Sequence, residues 1–101
     1  MMTGKQRAWL RGQANDLPCL FQVGKGEITR QLIKSLDDVL STHELLKVNI
    51  LKTVKMRPAD LADQLALAVG ADVVQVIGHR FVLYRRSEKM ARLGKSLTLP
   101  V

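Results

Sequence analysis

Chemistry comes closest to the surface of this sequence in the stretch Gln22-Val23-Gly24-Lys25-Gly26-Glu27-Ile28-Thr29. An apolar run from Pro18 to Val23 ends there, a helix-period pattern begins at Ile28, and two glycines flank a lysine between them. A strand that feeds a helix through such a turn aims backbone N–H groups and the positive helix end at one place, which suits an anion such as phosphate. Most short Gly-Lys-Gly turns only reverse the chain, so this one gains meaning only from cations gathered around it. Arg7 and Arg11, one helical turn apart, and Lys47 and Arg80, near strands, are such cations.

The residues needed for catalysis are not arranged for it. His43 and His79 are the only histidines and fall in different turns, so a two-histidine metal site would need chance convergence. No Ser/His/Asp or Cys/His pattern is present, and Asp37, Asp38, Asp60 and Asp63 belong on outer helix faces. The glycine turn lacks the Gly-x-x-x-x-Gly-Lys-Ser/Thr spacing that wraps a triphosphate, and no cofactor fingerprint is found. The expectation is a binding protein with no catalytic residue, metal or cofactor. The lone Cys19 excludes an intrachain disulfide and reads as an inert buried thiol.

Charge narrows the partner. Sixteen Lys and Arg oppose nine Asp and Glu, a net +7 with a pI near 10.1, which favours a polyanion. The charge is also segregated. Lys47, Lys52, Lys55 and Arg57 form an acid-free block, and Arg80, Arg85, Arg86, Lys89, Arg92 and Lys95 are opposed only by Glu88. No apolar run approaches the roughly 20 residues of a membrane span, and no secretory h-region follows Met1, so a cytoplasmic setting without membrane contact is expected.

The elements that must position these residues follow from periodicity. Thr3 caps a helix over about Gly4 to Asn15, whose stripe of Leu10, Ala14 and Leu17 is bordered by Arg7 and Arg11, with Lys5 well away from it. Trp9 sits on the other border and reads as a partly buried packing residue. Asp16-Leu17-Pro18 breaks the helix and Cys19 to Val23 is a strand. Ile28 to Thr42 is an amphipathic helix, with Glu27 or Thr29 as its cap. Leu45 to Leu51 alternates as a strand, Lys52 to Arg57 is a basic loop, and Pro58 to Gly70 carries the start and stop signals of a third helix. Val73 to Ile77 and Arg80 to Arg85 are strands joined by Gly78-His79, and the chain beyond Arg86 reads as a loose basic tail. Two strand–helix–strand crossovers imply parallel pairing, and the tight turn adds an antiparallel strand. The result is an α/β domain, a two-layer α+β sandwich ordered α-β-α-β-α-β-β on a mixed four-stranded sheet. Its domain spans residues 2–86 and its flexible tail 87–101, with a monomer as the default.

Several motifs together resemble a known family. Thr3-Gly4-Lys5-Gln6-Arg7, Leu10-Arg11, Phe21-Gln22-Val23-Gly24-Lys25-Gly26 and Ile28-Thr29 are similar to the opening of the YhbY-type CRM-domain family. His43 to Val48, Val73 to Gly78, Val82-Leu83-Tyr84-Arg85 and the closing Leu99-Pro100 continue the match in order. The resemblance implies an RNA-binding domain with a fold similar to the C-terminal domain of translation initiation factor three. It also implies strand order 1-2-4-3, with the first helix added to the core. Stand-alone members associate with precursors of the large ribosomal subunit, and plant relatives assist intron splicing. The family's Gly-x-x-Gly loop maps onto Gly24, Lys25, Gly26 and Glu27, where Glu27 replaces the second glycine. That carboxylate favours the helix start but opposes an approaching phosphate, so replacing it with glycine is expected to tighten RNA binding. The candidate RNA-contacting residues are Gly24, Lys25, Gly26, Lys5, Arg7, Arg11, Lys47, Arg80 and Arg85, acting on ribosomal RNA in large-subunit assembly. The alternatives are RNA binding in splicing, or a basic module docking an acidic protein, which would show an exposed apolar patch beside its charges.

Overall fold

Three helices begin at a Thr or Ser whose side chain accepts from the first turn, while another begins at a proline and ends at a glycine. A computed structural model describes residues 2–24 and 28–100. Helix α1 (Gly4–Ala14) opens with a reciprocal capping box between Thr3 and Gln6. Strand β1 (Cys19–Val23) follows, then helix α2 (Arg30–His43), whose cap is Thr29: its Oγ1 accepts from the Leu32 N–H at 3.1 Å. Strand β2 (Leu45–Ile50) leads to helix α3 (Pro58–Val69), which starts on Pro58 and stops at Gly70 in the left-handed conformation, φ 68°. Strands β3 (Asp72–Ile77) and β4 (Arg80–Tyr84) form a hairpin, and a short helix α4 (Glu88–Arg92) comes last.

The sheet has the order β1-β2-β4-β3. β1 runs parallel to β2, while β4 is antiparallel to both β2 and β3. The second crossover therefore does not pair β2 with β3; the last strand is inserted between them. Alternation along the strands separates two faces. One is covered by α2 and α3, where Leu36, Leu40, Leu61 and Leu65 bury themselves against Val48, Phe81 and Leu83. On the other, Leu10 and Ala14 of α1 meet Leu45, Val74, Val82 and Tyr84, with Trp9 partly buried at the border. The two-layer sandwich thus carries a partial third layer. Cys19 is half-buried rather than enclosed.

The segment after Arg86 is not the loose tail its composition suggests. Helix α4 lies against α2, and Leu97 and Leu99 pack on the cluster beneath α1. Its anchor is Glu44, fully buried between α2 and β2. Glu44 Oε2 accepts from the Ser87 N–H and the Ser96 hydroxyl, and Oε1 from the Leu97 N–H, each at 2.7 Å. Burial alone pushes the Glu44 carboxyl up. The bonds from Ser87, Leu97 and Ser96, with the nearby Arg86 charge, outweigh it and hold the group below the ordinary glutamate value. Gln6 adds a further tie, donating from Nε2 to the Pro100 carbonyl at 3.0 Å. A carboxylate with no partner in its own neighbourhood of sequence thus fixes a segment more than forty positions away.

Candidate nucleic-acid interface

Because β1 and β2 are parallel and β4 returns beside β2, Gly24 at the end of β1, residues 51–57 and the hairpin turn at Gly78-His79 lie at one end of the sheet. They are physically joined. The Leu51 N–H donates to the Val23 carbonyl at 2.9 Å, and the Ile50 N–H to the His79 carbonyl at 2.7 Å. A Cβ on Gly24 would stand 3.3 Å from Leu51 Cδ1, so the first loop leaves the sheet pressed against the second. Gly24 is described and lies at this end; Lys25, Gly26 and Glu27, and with them the expectation about Glu27, fall outside the described residues.

Exposed cations surround this end: Lys52, Lys55 and Arg57 from the second loop, Arg80 from the start of β4. Arg57 pairs with Asp60 at 3.1 Å, but both side chains are more than half exposed, so the pair holds little energy and leaves the guanidinium available. Lys52, Lys55 and Arg57 register in the sequence only as charge. Their acid-free run with Lys47 is the signal the sequence offers, and the fold places the start of that loop, Leu51, beside Gly24.

The face beneath α1 extends the charged end into a surface. α1 covers only part of this face, and the register assigns Gln22, Asn49, Lys47, Ile77 and Arg80 to the remainder through the pairs Gln22↔Asn49, Asn49↔Arg80, Lys47↔Val82 and Ile77↔Arg80. The Lys47 ammonium reaches the end of α1 and donates to the Asn15 carbonyl at 3.4 Å, favourably placed at the negative helix terminus. Arg7, Arg11 and Asn15 are spaced four apart, so they form one ridge of the helix. That ridge runs from the exposed arginines to the rim of a hollow lined by Asn15, Lys47, Gln75 and Arg80 over Ala14, Ile77 and Val82. Arg7, Arg11, Lys47 and Arg80 are therefore brought to one surface. Lys5 is exposed but sits about 200° around the helix from Arg7 and faces away from the ridge.

Arg85 does not join them. β4 carries Arg80 at its beginning and Arg85 just past its other end, and the Arg85 guanidinium turns inward against α2 and α3. It donates to the Val69 carbonyl at 2.8 Å, the Asp37 carbonyl at 2.9 Å and Ser41 Oγ at 3.0 Å, and forms an ion pair with Asp37 Oδ1. With its side chain 19% exposed, Arg85 closes the last carbonyl of α3, that of Val69, and ties two helices to the sheet. Among the described residues, no group of three or more His, Cys, Asp or Glu is placed to hold a metal.

Known proteins share this architecture. The family model for the CRS1 / YhbY (CRM) domain matches residues 2–85. The chain is 37% identical over 100 residues to the Probable RNA-binding protein YqeI of Bacillus subtilis, covering 99% of this chain and 100% of that one. It is 30% identical over 88 residues to an RNA-binding protein of Haemophilus influenzae, covering 87% and 89%. The solution structure of the hypothetical protein SAV1595 from Staphylococcus aureus superposes with a TM-score of 0.78 at 39% identity, across 99% of this chain and all of that one.

Proposed function

The chain belongs to the CRS1 / YhbY (CRM) domain family, and from that premise we propose that it is a non-catalytic RNA-binding protein of large-subunit assembly. Its contact surface is the loop-bearing end of the sheet together with the arginine ridge of α1. One observation carries this reading: Arg7, Arg11, Lys47, Lys52, Lys55 and Arg80 come from separate parts of the chain and the fold gathers them on adjoining surfaces. Relatives along nearly the whole chain are named as RNA-binding proteins, which supports RNA as the polyanion. Cations on a ridge and loops bind phosphates, so a large share of the affinity comes from the RNA backbone and falls steeply with salt.

The RNA is that of precursor large ribosomal subunits, the role that stand-alone members of the resembling family imply. In-cell ultraviolet crosslinking with sequencing of the attached RNA tests it. Enrichment of one region of precursor large-subunit RNA is expected. An even scatter over cellular RNA would remove the ribosomal assignment, and an absence of crosslinks from folded protein would remove RNA binding itself.

A further inference from the structure

We infer that the hollow between the end of α1 and strands β3 and β4 receives one unstacked nucleobase, so that the protein takes single-stranded RNA at this face. The inference rests on the RNA-binding reading and adds to it a ligand conformation that charge alone does not specify. The hollow has a volume of about 120 Å³ and opens to solvent on one side. An enclosed apolar cavity of about 150 Å³ accepts benzene, so this one admits a single flat ring inserted from its open side.

Its lining suits a base better than a phosphate. Ala14, Val82 and Ile77 present an apolar floor, and Ile77 is 63% exposed, an apolar side chain left without a partner beside charged ones. Two amides, Asn15 and Gln75, stand on the lining. Each offers both a donor and acceptors, which a base edge uses and a phosphate uses only in part. Lys47 and Arg80 occupy the same rim. They are placed to hold the phosphates on either side of an inserted nucleotide, and the planar Arg80 guanidinium can stack on the ring. A neutral protein segment would gain from the apolar floor but not from the paired cations; an acidic one could use both, and it is the naming of relatives as RNA-binding proteins that favours RNA as the occupant. A base in a duplex is already stacked and paired and cannot enter, whereas one in a loop or single strand can be turned out.

The test uses the full chain with two RNA probes of equal length, a single strand carrying one 2-aminopurine and the corresponding duplex. Anisotropy reads binding, and 2-aminopurine fluorescence, which rises when the base leaves its neighbours, reads insertion. The expected result is tighter binding of the single strand with a fluorescence rise. Gln75→Ala and Ile77→Ala should each weaken it about fivefold or more and abolish the rise, leaving the salt dependence unchanged because no phosphate contact is removed. If Gln75→Ala fails to fold, Ile77→Ala at its exposed position carries the test. Equal binding of duplex and single strand without a fluorescence change, or full affinity and an unchanged rise in both variants, would overturn the base site while leaving RNA binding intact. Binding of neither probe by the folded wild type would overturn the RNA reading, and the base site with it.

Discussion

Removal of the Glu44 side chain should loosen the end of the molecule opposite the charged loops, and the structure sets the size of the effect. Three donors converge on the carboxylate at 2.7 Å: the Ser87 and Leu97 amides and the Ser96 hydroxyl. Hydrogen bonds to a charged group contribute about 1.5–3 kcal/mol, and a buried donor left alone costs about 1–3 kcal/mol. Ser87 is buried, while Leu97 and Ser96 are half-exposed and can recover water. Glu44→Ala should therefore cost about 3 kcal/mol, most of it at Ser87. The backbone supplies an internal control. Glu44 has φ 60°, a conformation that disfavours a side chain, so Glu44→Gly loses the same bonds but regains roughly 1 kcal/mol of strain. Urea unfolding followed by fluorescence of Trp9, which packs on the cluster that Leu97 and Leu99 complete, measures both variants. A loss under about 0.5 kcal/mol for Glu44→Ala, or a glycine variant less stable than the alanine one, would refute the anchoring argument.

The same carboxylate gives a pH dependence. Its folded pKa is depressed, so its contribution is present above the unfolded value and lost as pH falls through the folded one. Unfolding free energy followed from neutral pH through the carboxylate range should fall in the wild type, and the portion due to Glu44 should vanish in Glu44→Gln. Arg85→Lys keeps the charge but loses the planar fork that reaches Val69, Asp37 and Ser41; it should cost about 2 kcal/mol with RNA affinity unchanged, and a weakened complex at full stability would contradict its structural role. Gly70→Ala meets no atom within 4 Å but forces a Cβ onto φ 68°, so thermal or urea unfolding should show a loss of about 1–2 kcal/mol. Replacing Arg7 and Arg11 together by Gln should lower the slope of log affinity against log salt by about 1.4 on single strands, with stability unchanged; an unaltered slope would take the α1 ridge out of the interface.

Local signals carried most of the fold. Thr3 with Gln6 three on and Gly70 at a helix end bond the backbone within one turn, and Pro58 at a helix start has no N–H to satisfy, so a window of sequence contains the whole signal. The register of Lys47 and Asn49 against Leu46 and Val48 is equally local, because alternation assigns the faces. The resemblance supplied what periodicity did not, the place of β4 between β2 and β3. Two crossovers and a hairpin are compatible with more than one strand order. Arg85 shows the opposite limit: a basic residue ending a strand looks like Arg80 in sequence, and only its partners 16, 44 and 48 positions away distinguish them. The order of the C-terminal segment is hidden for the same reason, since Glu44 meets Ser87, Ser96 and Leu97 across 43 to 53 positions. The density of Lys and Arg after Arg86 says nothing about one buried acid far upstream.

The insertion of β4 between β2 and β3 also orders events in time. During synthesis β1, β2 and their intervening helix emerge first and can pair, but the edge of β2 that faces β4 stays bare until residues 80–84 are released. β3 waits for the same strand, since its antiparallel partner is β4. The sheet is thus zipped shut from the middle by the last of its four strands to emerge, and Ser87 and Leu97 follow it in the chain to bind Glu44. A chain cut before Arg80 is left with two unclosed sheet edges, a template for aggregation, so truncated products should be insoluble rather than partly active.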